Sequence, residues 1–539
     1  MQTEAERLQK KITNKTLLAK MNFADSLVSE QKYEDAITVY KELLGEIDKS
    51  YAYNICETYR KLGNCYWYLK DNVNARLHYE KTLDYCTTNK SVYEMLASLY
   101  TKLDCKKTLK YYLKSIELGA DISYFTSSAW LMMKDCTYTQ EKLKENFEFY
   151  VNKFRPQYLE KMPAFTHKKP NPNKKINVAY VSTDFYCHAM MSFILPILEK
   201  HNTKKYNFTL YSLDDKPDAV TERIKKTGIK FVDLSKNNVQ EIAQRIYNDK
   251  IDIVIDLAGY VNTKAFWLYY KPAPIQMQYL GFLNTYGMKE VDYIITDEYS
   301  IPPKMAKYYT EKPFYLKHGM QKYCFPHPNT NIPECNIEPP CVRNGYITFG
   351  SFNTVSKIDD YTISLWVKLL NEIPDSRLLF YRTQMHEEEM ARLTYLLERH
   401  HADMSRVTFE NAPRKDTHFK IYEMADIALD PVPFSGLTVT IETILMGVPV
   451  LCMNHEPLQA KGTARVNKEL GLDELICYSE EEYLQKGKAL ATVENIKKYR
   501  ESLRYILTTS TIFNNYKQIA EDFEEGFDKI FADYCKNET

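Results

Sequence analysis

Several side chains in the second half of the sequence follow apolar, strand-like runs, and their types suit the handling of a hydroxyl, a diphosphate and a ribose. In "STDFYCHAMMSF", Asp184 and His188 lie just past the run "INVAYV". Histidine exchanges a proton near neutral pH, so His188 can orient or deprotonate an attacking hydroxyl; a helix-start histidine bonded to backbone fits the same spacing. "GSFNTVSKID" sets Lys357 between a strand and a helix, where an ammonium can neutralise a diphosphate leaving group or remain a solvated surface charge. "FENAPRKDTHFKIY" places Lys415 and His418 after another strand. An imidazole there can stack on a nucleobase and a lysine can reach ribose or base oxygens, although plain helix-start polarity uses the same residues. The stretch "DPVPFSGLTVTIETILMGVPVLCM" (430–453) brings Thr438 and Thr440 to a helix N-terminus and Glu442 onto that helix. Hydroxyls and free amides at such a terminus suit phosphate oxygens, and the carboxylate suits a ribose hydroxyl; ordinary capping is the alternative. Phosphate with ribose means a nucleotide.

These residues need two scaffolds. From about 176 onward, "INVAYVSTDF", "YNFTLYSL", "IDIVIDLAGY", "IQMQYLGF" and "VDYIITD" read as buried strands separated by amphipathic helices. A second series starts at "YITFGSFN" and runs through "RLLFYR", "RVTFEN" and the 430–453 stretch. This alternation predicts parallel βαβ units, and two such domains in tandem leave a cleft at the carboxyl ends of their strands. No GxGxxG or GxxxxGK[ST] stands at a strand–helix junction and no GxSxG elbow occurs, which argues against a dehydrogenase, a P-loop enzyme and a hydrolase. A nucleotide held between two sheets without a P-loop points to nucleotide-sugar transfer. With no Asp-x-Asp at a strand end, neither a metal nor another cofactor is expected.

The first part of the chain has a different period. Ala36 and Tyr40, Ala75 and Tyr79, and Thr108 and Tyr112 form anchor pairs at steps of 39 and 33 residues. That spacing is close to the ~34 of a tetratricopeptide repeat. Twelve positions before each anchor stand Ala24, Gly63 and Leu96, two of which are as small as a close helix crossing requires. Stacked helical hairpins over 19–119 follow from this pattern. "RPQYLEKMPAFTHKKPNPNKK" reads as a linker. The expected division is a repeat region at 1–155, a linker at 156–175, lobes at 176–342 and 343–512, and a C-terminal helix at 513–539.

The 539 residues are too many for one core, and 71 basic against 71 acidic residues leave no global field for nucleic acid or an anionic membrane. The charged start "MQTEAERLQKKITNK" lacks the apolar stretch of a signal peptide. Twelve cysteines without CxxC pairs suit a reducing compartment, so a cytoplasmic location is expected, with the nucleus left open.

Together, "VSTDFYCHAMMSF", "KPAPIQMQYLGFLNTYG", "VDYIITD", "GSFNTVSKI" and "DPVPFSGLTVTIETILMGVPV" resemble the tetratricopeptide-linked glycosyltransferases: the protein O-GlcNAc transferases, their bacterial relatives and the Spindly-type O-fucosyltransferases. The likeness runs from about 176 to 510 in unbroken order. It implies a two-lobed GT-B fold and inverting, metal-independent transfer of a sugar to Ser or Thr of protein or peptide acceptors, with the repeats recruiting them. By motif position it implies that His188 is the active-site histidine and Lys357 the diphosphate lysine. Lys415 and His418 would contact base and ribose, Thr438 the phosphate, and Glu442 the ribose. The chain departs from the animal O-GlcNAc transferases at Ala189, Thr354, Leu437 and Val439, and lacks the large insertion between their lobes. UDP-GlcNAc is the expected donor, with GDP-fucose as the alternative. A repeat-based binding protein with a decayed transferase half and an asparagine-directed glucosyltransferase are the competing readings.

Overall fold

The computed structural model describes residues 11–412 and 418–536, and the chain divides into two compact units, Met1–Leu131 and Met132–Thr539. In the first unit the described residues form antiparallel-type helical hairpins, among them Tyr33–Glu46, Ala52–Tyr68, Asn72–Leu83 and Cys105–Glu117. The anchors Ala36, Ala75 and Thr108 are fully buried. The small residue at Gly63 has a direct cause, because a Cβ there would stand 2.7 Å from the Tyr79 ring. Tyr40 and Tyr79 are buried with their hydroxyls donated to Asp25 and Asn64. In the third hairpin the more deeply buried tyrosine is Tyr111, whose ring meets those of Tyr93 and Tyr100; Tyr112 is half-buried.

The second unit begins before its sheets. The helix Gln140–Leu159, capped by the Thr139 side chain, buries Leu143, Phe147, Tyr150 and Val151. Phe147 lies 5.8 Å from the Phe282 ring, and Arg155 Nε donates to Glu290 Oε1 at 2.5 Å. Gly287 adopts φ +66° and passes so close that a Cβ would stand 2.6 Å from the amide nitrogen of Glu148. The expected 155/156 boundary therefore falls inside a helix that belongs with the sheets.

The first sheet has seven parallel strands: β1 (Ile176–Ser182), β2 (Tyr206–Ser212), β3 (Lys230–Asp233), β4 (Ile253–Asp256), β5 (Ile275–Gln278), β6 (Tyr293–Thr296) and β7 (Lys312–Tyr315). Their order is β3-β2-β1-β4-β5-β6-β7. The second sheet has six: β8 (Ile347–Ser351), β9 (Ser376–Tyr381), β10 (Val407–Glu410), β11 (Ile427–Leu429), β12 (Val450–Met453) and β13 (Ile476–Cys477), ordered β10-β9-β8-β11-β12-β13. Central strands such as β4 and β12 are buried throughout, as covered parallel strands must be, which is why they read as continuous apolar runs. In each sheet the winding reverses once, between β1 and β4 and between β8 and β11. Loops diverge at such a reversal and open a crevice beyond the strand ends.

The chain passes between the lobes twice. It leaves the first after β7, and the helix Tyr516–Lys536 returns to it. Glu524 on that helix accepts from the Asn202 amide at 2.8 Å, Tyr206 donates to Asp528 at 2.8 Å, and the His318 amide donates to Asp522 at 2.8 Å. The two crossings run side by side: the Tyr323 amide donates to Ile512 O at 2.8 Å, and Tyr516 OH donates to Tyr323 O at 2.7 Å. Buried ion pairs add a further tie, Arg465 to Asp297 at 2.8 Å and Lys322 to Glu469 at 3.3 Å. Among the described residues no helix is long and apolar enough to cross a membrane.

Candidate active site

The reversal point of the second sheet carries the most tightly built group. Lys357 closes the short 3-10 turn Val355–Lys357 that follows β8. Its Nζ donates to Ser435 O at 2.9 Å and lies 4.6 Å from the centroid of the Phe434 ring. Burial lowers its pKa to about 8; the Asp430 carboxylate opposes that shift, and Lys134 and Arg382 add to it. The side chain is thus a held, partly desolvated ammonium rather than a solvated surface charge. Asp430, at the end of β11, accepts from Ser435 Oγ at 2.6 Å and from the Gly436 amide at 2.7 Å. Burial raises its pKa to about 6. The loop 430–437 is wrapped around this carboxyl, and Gly436 is needed because a Cβ would meet Thr440 Oγ1 at 2.8 Å and Asp430 Oδ1 at 3.0 Å.

That loop delivers the helix Thr438–Leu445, whose N-cap residue Leu437 offers no side-chain hydrogen bond to the first turn. Thr438 is its first residue and is half-buried, so amides and a hydroxyl stand together at the crevice. Thr440 is oriented otherwise: it is buried and its hydroxyl shares a 2.7 Å hydrogen bond with that of Thr463. Leu437 and Val439 pack against the core of the lobe. Thr354 is exposed beside the Lys357 turn.

Glu442 accepts from Tyr422 OH at 2.6 Å and from Tyr323 OH at 3.1 Å. His418 Nε2 stands 3.6 Å from Glu442 Oε2, and the exposed imidazole lies against Phe419 with ring centroids 4.0 Å apart. The arrangement offers a ring face beside an acceptor carboxylate, as a nucleoside would need. Lys415 lies outside the described residues.

On the first lobe, His188 follows β1 with 44% of its side chain exposed. Its Nδ1 accepts from the Met190 amide at 3.3 Å, which leaves the proton of the neutral ring on Nε2. Asp184 Oδ2 lies 3.5 Å from the same nitrogen. Burial raises the pKa of Asp184, with His188 opposing. At the end of β4, the fully buried Asp256 accepts from Tyr286 OH at 2.5 Å and the Gly259 amide at 2.7 Å. Burial raises its pKa to about 6. The sequence flagged neither Asp256 nor the tyrosines on Glu442; a polar residue at the last position of an apolar strand was the available sign for Asp256.

Among the described residues no group of three or more His, Cys, Asp or Glu side chains is arranged to hold a metal ion. The sequence profile described as Glycosyl transferase family 41 matches residues 151–331 and 341–523, which take in both reversal points. The chain belongs to this family. A relative from Arabidopsis thaliana, "Probable UDP-N-acetylglucosamine--peptide N-acetylglucosaminyltransferase SPINDLY", is 32% identical over 382 residues, covering 68% of this chain and 41% of that protein. A second from the same plant, named SEC, is 26% identical over 393 residues, covering 70% of this chain and 40% of its own. The chain thus spans about two-fifths of the length of the curated relatives it matches. An O-GlcNAc transferase variant from Thermobaculum terrenum aligns with a TM-score of 0.74 at 22% identity over 97% of this chain and 99% of that one. That likeness establishes the architecture: a helical region followed by a two-lobed GT-B pair of parallel sheets.

Proposed function

We propose that this family 41 protein transfers a sugar from a nucleotide donor to Ser or Thr hydroxyls of protein acceptors, with inversion and without a metal. The observation that carries the reading is the junction of Lys357 with the loop 430–437 at the uncapped start of the helix Thr438–Leu445. A diphosphate there would meet an ammonium, free amides and the Thr438 hydroxyl, with Glu442 and His418 in reach of ribose and base. The acceptor oxygen attacks the anomeric carbon, the bond from that carbon to the diphosphate oxygen breaks, and the growing negative charge falls on groups already in place. Such preorganised stabilisation is usually the largest part of the rate enhancement. His188, on the facing lobe, orients the acceptor, and in the other tautomer, with its ring proton carried on Nδ1 toward Asp184, its Nε2 takes the proton of the attacking hydroxyl. UDP-GlcNAc is the donor we favour, in keeping with the names that the SPINDLY and SEC relatives carry; GDP-fucose, which the resemblance to the Spindly-type O-fucosyltransferases implies, is the alternative.

A thermal-shift series with UDP-GlcNAc, UDP-glucose and GDP-fucose tests the donor. A ligand confined to the folded state stabilises it by about 2.7 kcal/mol at a hundredfold excess over its Kd. Mass spectrometry of protein acceptors incubated in excess EDTA then tests the transfer. Stabilisation by GDP-fucose alone would replace the donor. Sugar on asparagine rather than Ser or Thr, or a strict demand for Mn²⁺, would overturn the mechanism.

A further inference from the structure

We propose that the buried amides of Gln140, Asn284 and Gln459 are positioning residues through which the helix Gln140–Leu159 sets the pose of the phosphate-facing loop 430–437. The three belong to three segments: that helix, the loop after β5, and the short turn Leu458–Ala460 after β12. All are buried, with at most 2% of their surface exposed, so they cannot touch a donor themselves. Gln140 and Asn284 form a reciprocal amide pair: Gln140 Nε2 donates to Asn284 Oδ1 at 2.8 Å and Asn284 Nδ2 to Gln140 Oε1 at 3.0 Å. Asn284 Nδ2 also donates to Gln459 Oε1 at 2.8 Å, and Gln459 Nε2 donates to Met133 O at 3.2 Å.

Two links carry this junction to the site. The Ser435 amide donates to the carbonyl of Gln459 at 3.0 Å, and Ser435 is the residue whose carbonyl holds Lys357 and whose hydroxyl rests on Asp430. Separately, Lys134 Nζ donates to Ser356 Oγ at 2.9 Å, beside Lys357 in the chain. Both loops that would flank a diphosphate are therefore braced by the segment 133–140. An apolar contact has no directional requirement. Linked amides are satisfied at one offset, and any slip leaves buried donors and acceptors without partners. The choice of amides at all three positions is explained by a need for register.

This inference rests on the donor reading of the crevice, and the test separates the two. Full-length Gln140→Leu, Gln140→Met, Gln459→Leu and Gln140→Leu/Gln459→Leu are compared with wild type and with Asn54→Leu, which removes a buried amide from the repeat unit. Hydrogen–deuterium exchange without ligand reads the brace directly. Exchange at Ser435–Thr438 is expected to quicken about tenfold in the Gln140 variants, as loss of a buried hydrogen bond implies, and to stay unchanged in Asn54→Leu. Calorimetric titration with UDP and with GDP reads the consequence. For the nucleotide that wild type binds, the Gln140 variants are expected to bind about tenfold more weakly, and the double variant no more weakly than Gln459→Leu, since the residues act as one unit. Wild type binding neither nucleotide would sink the donor reading, while the exchange arm would still judge the brace. A folded Gln140→Leu or Gln140→Met with wild-type exchange at 435–438 overturns the proposal, as does wild-type affinity for a nucleotide that wild type binds.

Discussion

Lys357 in the second lobe is gripped by Ser435, set over the Phe434 ring and faced by a buried carboxyl. His188 in the first lobe is nearly half exposed and touches the Met190 amide, Asp184 and the Tyr186 ring within its own loop. Both follow the strand at which their sheet reverses, so topology alone does not make them differ. In the proposed reaction Lys357 would meet the same diphosphate at every turnover and gain from being fixed before charge develops, whereas His188 would meet many acceptor chains and gain from room.

The contrast can be broken at either end. Lys357→Ala should lower kcat by about a hundred- to thousandfold, the usual effect of losing one preorganised contact to developing charge, with a smaller change in nucleotide affinity. Transfer at the wild-type rate would show that the lysine serves only to hold Ser435. His188→Ala should cost about a hundredfold in transfer to protein acceptors, as for a general acid–base group, while calorimetry finds nucleotide binding unchanged. Weakened nucleotide binding would move His188 to the donor side of the crevice.

The pH profile sharpens the comparison. Burial lowers the pKa of Lys357 from 10.5 to about 8, so the ammonium is present below that pH and lost above it. Donor kcat/KM should therefore fall above about pH 8, approaching tenfold per unit, and Asp430→Asn should move that limb lower because the carboxylate favours the charged lysine. Stability has the opposite sign: the unfolded chain keeps this proton up to about 10.5, so the lysine's contribution improves as pH rises from about 8 toward that value. The smallest effect belongs to Thr440→Val, which removes the hydrogen bond to Thr463 and should cost about 1 kcal/mol of stability with nucleotide affinity intact. A tenfold loss of affinity would mean that Thr440 reaches the donor after all.

The alternation of strand and helix, the repeat anchors other than Tyr112, and the strand-end placement of His188, Lys357 and Thr438 were legible, because each is a local pattern of residue types. What stayed hidden lies in three dimensions. Thr438 and Thr440 look alike in sequence, yet one stands at the helix mouth and the other is turned onto Thr463. Tyr323 and Tyr422 reach Glu442 from distant segments, and Gln140 meets Asn284 across two structural elements, with no spacing to announce either. The boundary near residue 155 reads as a linker because of its proline and lysine, whereas the packing of Phe147 and Arg155 assigns the preceding helix to the sheets.

The paired crossings at Tyr323, Ile512 and Tyr516 have a mechanical consequence. A single connecting chain would leave the lobes free to swivel in any direction. Two segments lying side by side and bonded to one another form a hinge pin, which would guide any parting of the lobes along one arc and resist shearing across it. In the proposed reaction, discharge of the spent nucleotide and admission of the next donor would share a single opening stroke, whose rate would bound turnover.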